Sequence, residues 1–486
     1  MMHSSGTTGA GSGAGLLSPP GGGHDSGYLY RITIIAAIGG FLFGYDLSLI
    51  SGAIIFLQKE FALTPFWTGM VTGSAILGCP FGPLCGMWLA DVKGRKWSLL
   101  LAALLFMISA VGSALAPSVW QIILWRFVGG MGVGLASTVS PMYIAEISPA
   151  ALRGRMVIIN QLAIVIGLSM AVVVAYFLSF GGHWRWMFFS QAIPIVGLFG
   201  GLFFVPNSPR WLAMMNRDAE ALDVLNRINT PEQSEQELRA IKQELGEESG
   251  GFAELLRPGI LKAVIIGLVL MVFSQINGVN MILLYTPSLF MEAGITDAPD
   301  AILNSVIIDG WITICTVIAF WLTSKFGRRP ILIAGALGMG VGHLLMYANF
   351  AFQLPMQMTL LAMIVATGAF TLTLAPLSWV VVSELYPTRI RGKAMSIATC
   401  AMFTASFITV NLFPVLTNWF SAHFGSAGGT FLIFFGICLA GGLFVWKWIP
   451  ETKDKTLEEI GGFWLHDSDR AERPFVENEL VANPNA

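Results

Sequence analysis

Apolar residues run along this chain in twelve stretches, each long enough to cross a bilayer as a helix of about 20 residues. The stretches fall at 29–56, 66–90, 97–117, 120–144, 157–179, 184–205, 260–290, 302–323, 330–351, 358–383, 394–418 and 429–448. Between the sixth and seventh lies a polar segment, 212–257, too charged to enter lipid. Within it Thr230, Pro231 and Gln233 form a capping-box pattern, and Leu238, Ile241 and Leu245 follow at helical spacing. Short amphipathic helices lying against the cytoplasmic face are expected there. Gly278 and Pro376 interrupt the seventh and tenth stretches, which predicts broken helices at those two places.

Composition agrees with a lipid environment. Of the 486 residues 55% are hydrophobic and 12% charged, against roughly 25% charged in an average soluble chain. A net charge of −2 gives no basic surface for nucleic acid, so no nucleic-acid partner is expected. The basic residues report orientation instead. Loops after even-numbered helices hold Lys93, Arg95, Lys96, Arg153, Arg155, Lys325, Arg328, Arg329, Arg389, Arg391 and Lys393, whereas those after odd-numbered helices hold Lys59 and Arg185. Both termini are therefore expected in the cytoplasm. Residues 1–27, rich in Gly and Ser, read as a disordered tail without the apolar region of a signal peptide. The five cysteines have no metal-ligand spacing and read as packing residues. Neither a metal nor a cofactor is expected.

The chain repeats itself across the polar segment. DVKGRKWSLL (91–100) returns as SKFGRRPILI (324–333), and AEISPAALRGRM (145–156) as SELYPTRIRGKAM (383–395). Glu146 to Arg153 and Glu384 to Arg391 are the same step, and PNSPRW at 206 is echoed by PETKDK at 450. Two like halves with a site between them describe a class of secondary transporter in which the halves rock about that site. The expected units are residues 28–211 and 258–449, a linker at 212–257 and a tail at 450–486. The repeated charges (Asp91, Arg95, Glu146, Arg153, Arg328, Glu384 and Arg391) are expected to form ion pairs between the halves that close an inner gate.

One carboxylate, Asp46, sits inside the first apolar run. A charge at that depth is costly and ordinarily faces a cavity and a partner. Asp46 lies ~15 Å from the outer end of helix one and Arg126 ~9 Å from the outer start of helix four, so their side chains are expected to meet. Asp309 in helix eight poses the same question, and His343 reads as a satisfied buried histidine. The glycine-rich runs at 129–134 and 335–342 mimic dinucleotide fingerprints, but inside apolar helices they read as surfaces for close helix contact. A phosphate-binding G-x-x-x-x-G-K-[ST] loop is missing, and no acid/base or metal constellation points to an enzyme.

With GRK and GRR after helices two and eight, the 126–156 block, VPNSPRWL (205–212), SQINGVN (274–280) and IPETKDKTLEEI (449–460), the sequence resembles the sugar porter family of the major facilitator superfamily from about residue 30 to 456. The resemblance implies an all-α membrane protein, twelve helices in two pseudo-symmetric six-helix bundles. It also implies alternating access, with one monosaccharide at the midplane. It matches Phe43, Gln161, Ile164, Gln275, Asn280 and Trp379 to sugar contacts, and Asp46 with Arg126 to the proton-coupling pair of the family's symporters. Asp309, one turn before Ile312, is expected to supply the polar group that Ile312 cannot offer to the sugar, to titrate, or to cap a polar patch with Asn304. Departures from the family pattern stand at Ser274, Leu284, Ile312, Met402 and Phe403, which make the second half of the pocket less polar, and at Asn207 and Ser324, where gate acids are usual. The reading is a proton-coupled symporter of a pentose or hexose, acting as a monomer in a plasma-type (inner) membrane. A passive facilitator would equilibrate without accumulation, and a transporter-like sensor would want a longer structured tail than 461–486.

Overall fold

The computed structural model of the chain describes residues 26–245, 252–386 and 390–453, and among these every regular element is a helix. The first half contains α1 (Ser26–Phe61), α2 (Pro65–Gly78), α3 (Phe81–Val92), α4 (Arg95–Leu115), α5 (Val119–Ile147), α6 (Ala150–Ser179), α7 (Trp184–Ser190) and α8 (Ala192–Leu202). Three short helices follow, α9 (Pro209–Met214), α10 (Asp218–Asn226) and α11 (Pro231–Leu245), then a 3₁₀ turn at Phe252–Leu256. The second half contains α12 (Pro258–Ile276), α13 (Val279–Glu292), α14 (Ala298–Lys325), α15 (Arg328–Phe352), α16 (Met356–Leu372), α17 (Leu374–Leu385), α18 (Arg391–Phe424) and α19 (Gly429–Trp448). The expected tails 1–27 and 450–486 fall almost wholly outside the described residues, as do linker residues 246–251 and Arg389.

Among the described residues, eleven helical stretches are long and apolar enough to cross a bilayer. The sixth crossing of the sequence is the exception. It folds as α7 and α8 with a break at Gln191. Pro194 explains it, since the ring has no N–H to return to Ser190 and crowds that carbonyl. The chain instead tightens locally, with Gln191 N donating to Phe188 O at 3.4 Å. Three further crossings are broken, between α2 and α3, α12 and α13, and α16 and α17. The break expected at Gly278 is found there, and the one attributed to Pro376 falls at Thr373, three residues earlier, because the proline has no N–H for the Leu372 carbonyl and its ring crowds it.

Small residues set how closely the helices approach. A Cβ at Gly130 or Gly134 of α5 would strike the backbone carbonyl of Ala75 or Cys79. The first glycine-rich run is thus a packing surface of α5 against α2 and α3, as expected. The two halves meet where α2 packs on α18, with Gly69 against the Asn411 backbone, and where α6 packs on α14.

At the helix ends that carry the basic loops, the sequence repeat has a structural counterpart. Arg95 reaches Glu146 at 2.9 Å in the first half, and Arg328 reaches Glu384 at 3.5 Å in the second. Arg95 also pairs with Asp91 at 3.5 Å, and the Ser208 hydroxyl donates to Glu146. Glu451, from the third repeated motif, accepts from the backbone N–H groups of Arg328 and Arg329 at the start of α15, where a helix dipole favours an anion. Burial alone would raise the Glu451 carboxyl, but these N–H bonds and those of Lys453 and Thr452 hold it below its usual range. The capping box forms as the sequence predicts, with Thr230 N donating to Gln233 Oε1 at 3.4 Å. Leu238 is buried beneath α11, and Arg153 reaches Glu237 at 3.9 Å to tie α11 to the first half. Burial raises the Glu237 carboxyl, opposed by the Asn229 amide and Arg153.

Arg95–Glu146 and Arg328–Glu384 each lie within one half, and Arg153–Glu237 joins a half to the linker. The spacing of the repeat preserves the local turn-to-helix contact in each bundle, hydrogen-bonded in the first half and looser in the second, where Arg328 Nε and Glu384 Oε2 have no hydrogen-bond partner among the described residues. Arg95 and Glu146 are 7% and 10% exposed, against 21% and 23% for Arg328 and Glu384. Glu146→Gln is therefore expected to lower the melting temperature of detergent-solubilised protein more than Glu384→Gln. Opening the drier pair costs about 3 kcal/mol and the wetter about 1 kcal/mol. Equal shifts would show that burial does not govern these pairs.

Candidate functional site

Asp46 of α1 and Arg126 of α5 are each 1% exposed. The carboxylate reaches α5 one turn beyond Arg126, with Oδ1 3.6 Å from where a Cβ of Gly129 would stand. Arg126 acts on it through charge, and the amide of Gln191, at the α7–α8 break, lies beside it. The Arg126 guanidinium also lies 5.7 Å from the ring of Phe188. The depths inferred from the sequence thus bring the pair into one pocket, but no hydrogen bond closes it. Both carboxylate oxygens of Asp46 and all three side-chain nitrogens of Arg126 have no hydrogen-bond partner among the described residues. The expectation that the side chains meet holds for proximity and not for contact.

In the second half, the break at Gly278 puts two amides side by side. Gln275 ends α12 and Asn280 begins α13, and the Asn280 amide donates to Gln275 Oε1 at 2.6 Å. Of the residues matched to sugar contacts in the first half, Phe43 and Ile164 are half-buried and Gln161 is exposed. The Gln161 amide makes no hydrogen bond within the described residues. Trp379 is 42% exposed. Leu284, Ile312, Met402 and Phe403 are buried, and Ser274 turns its hydroxyl to Met271 O. Tyr285 donates to Val410 O at 3.0 Å, within the second half.

Asp309 is 7% exposed and its carboxylate accepts from Ser48 of α1, in the opposite half, at 3.2 Å. Its backbone carbonyl accepts from Ser169 of α6 at 3.1 Å. Asn304 turns instead to Asp300 O, so the suggested polar patch of Asp309 with Asn304 does not form. His343 is fully buried with Nε2 2.7 Å from Asn277 O. Arg391 Nε donates to Tyr386 O at 3.3 Å. No group of three or more potential metal ligands occurs among the described residues.

Sequence reasoning missed Gln191, Ser48, Ser169 and Asn277. Gln191 carried a signal, an isolated amide in an apolar run three residues before Pro194. Ser48 stands two residues beyond Asp46, and its partner in the other half is set by packing that no local pattern encodes.

Comparison with known proteins bears directly on this arrangement. Residues 32–464 match the model of a family described as sugar (and other) transporter. The D-xylose-proton symporter of Escherichia coli K12 is 36% identical over 93% of this chain and 98% of its own length. The arabinose-proton symporter of Bacillus subtilis 168 is also 36% identical, over 91% of this chain and 96% of its own. Among solved structures, the inward open conformation of the E. coli xylose transporter XylE superposes with a TM-score of 0.79 at 34% identity, over 90% of this chain and all of that one. The form of the same transporter bound to 6-bromo-6-deoxy-D-glucose gives 0.73 at 35% identity, over 91% of this chain and all of that one. The twelve crossings, the two like halves and these matches together make the chain a member of the sugar transporter family, a sugar porter of the major facilitator superfamily.

Proposed function

We propose that this chain is a proton-coupled symporter of a monosaccharide, moving sugar and proton together by alternating access. One observation carries the reading. A carboxyl inside the membrane-spanning helices, Asp46, lies beside a fully buried Arg126 without a hydrogen bond between them. With Asp46 ionised, the two attract across the α1–α5 contact. A proton taken onto a carboxyl oxygen cancels that attraction and shifts the balance between the two orientations of the bundles. The names of the relatives, symporters of D-xylose and arabinose with protons, support the same chemistry.

The sugar lies between the halves. Gln161, Gln275 and Asn280 exchange hydrogen bonds with its hydroxyls, since amides both donate and accept. Phe43 and Trp379 cover its C–H faces, with Ile164 beside them. Asp309 stands at the edge of this pocket. The apolar Ile312, Met402 and Phe403 favour a pentose over a more hydroxylated hexose. The halves are residues 28–211 and 258–449. The protein acts as a monomer spanning the plasma (inner) membrane, with the basic face and both termini in the cytoplasm. The higher TM-score to the inward open relative supports a chain captured open toward that basic face, with Asp91, Arg95, Glu146, Arg153, Arg328, Glu384 and Arg391 lining the opened gate.

Two variants test this. In proteoliposomes holding a membrane potential, one coupled proton supplies about 2.3 kcal/mol per 100 mV, or roughly 50-fold accumulation of sugar. Asp46→Asn is expected to abolish accumulation of labelled D-xylose while still exchanging it at equilibrium. Accumulation surviving in that variant would remove the coupling role. Asn280→Ala is expected to raise the KM for sugar about tenfold through loss of an amide, with the accumulation ratio at saturating sugar unchanged. An unchanged KM would take Asn280 out of the pocket.

A further inference from the structure

The break between α12 and α13 is held from both sides. Gly278 adopts φ +91, a left-handed conformation that favours glycine, and a Cβ there would also press on Phe434 and the His343 ring. The Asn277 side chain bridges the two helices. Its Nδ2 donates to Phe273 O at 3.1 Å and Ser274 O at 2.7 Å, and its Oδ1 accepts from Val279 N at 2.9 Å. What remains is the Asn277 carbonyl, which the broken ladder leaves without a helical donor. His343 of α15 supplies one. A carbonyl only accepts, so the ring nitrogen 2.7 Å from it, Nε2, carries the hydrogen. Cys438 of α19 adds a weak, longer contact at 3.6 Å. The ring is fully buried and fixed in the plane it needs by Phe431 and Phe434 of α19, whose centroids lie 6.2 and 5.5 Å away.

This apparatus sits under the two amides. Gln275 lies two residues before Asn277 and Asn280 three after it, and their 2.6 Å bond spans the break. Any change in the angle between α12 and α13 moves one amide relative to the other. We propose that His343 is a positioning residue for sugar binding. Its Nε2–H, held on the Asn277 carbonyl, fixes the angle at which α13 leaves α12 and so the reach of Gln275 and Asn280. The inference rests on the reading that those amides meet the sugar. It goes beyond a buried histidine that merely fills space, because it assigns the N–H a consequence in the pocket.

The test uses the full chain in proteoliposomes with labelled D-xylose, comparing His343→Met, which fills similar volume without the donor, and His343→Gln, which keeps an N–H. His343→Met is expected to raise KM about tenfold with the maximal rate within about twofold. His343→Gln is expected to stay within about threefold of the parent KM. Spin labels at Thr296 and Gln353, both exposed just beyond α13 and α15, give a second readout that needs no sugar. Their distance distribution is expected to broaden in His343→Met and to return in His343→Gln. An unchanged KM and distance in His343→Met would overturn the proposal. So would equal losses in both variants, the mark of packing alone. Should His343→Met fail to fold, His343→Gln decides, and a KM raised about tenfold in it overturns the proposal. If even the parent takes up no D-xylose, the transport reading fails on that sugar while the distances still decide the role of His343.

Discussion

A carboxylate and a guanidinium, both sealed among apolar helices and not bonded to each other, set the terms for the rest of this molecule. Neither charge is stable in hydrocarbon by itself. Together they are tolerated because α1 and α5 bring them into one pocket, with the Gln191 amide and the Phe188 ring completing it. Such a pair is weak evidence for stability, since desolvation offsets much of the attraction. In the function proposed above, its balance shifts when one proton arrives.

The helices around that pocket are fitted by their small residues and broken at chosen points. Gly130 and Gly134 let α5 lie against the backbone of α2 and α3. The breaks at Gln191 and Gly278 free backbone and side-chain polar groups near the middle of the membrane, where irregular chain persists only if it is buried in protein or lines a cavity. The first break delivers an amide beside Asp46, and the second delivers the pair Gln275 and Asn280. The contacts across the halves tie Asp309 to Ser48 of α1, two residues from Asp46, and through its backbone carbonyl to Ser169 of α6. A shift of α1 is thereby felt in the other bundle.

Much of this was legible in the sequence, for reasons that differ by feature. The crossings were, because a bilayer demands length and apolarity that few soluble segments meet. The sixth was found by composition even though Pro194 splits it. Asp46 and Arg126 stood out because charge in lipid is costly, and counting residues along each helix put them at matching depth. The breaks at Gly278 and before Pro376 followed from backbone chemistry. The repeat of Glu146 and Glu384 announced a shared contact but not its partner. Spacing along the chain cannot say whether an arginine bonds within its bundle or across the gap, and the structure shows the former. Ser48, Ser169 and the His343–Asn277 bond depend on packing between distant segments, which no local pattern carries.

Whether sugar crosses together with a proton is most directly read from charge movement. On a solid-supported membrane loaded with the reconstituted protein, adding D-xylose is expected to drive an inward positive current that the medium's pH governs, together with alkalinisation outside the vesicles. Sugar entering with no current and no change in external pH would contradict the account.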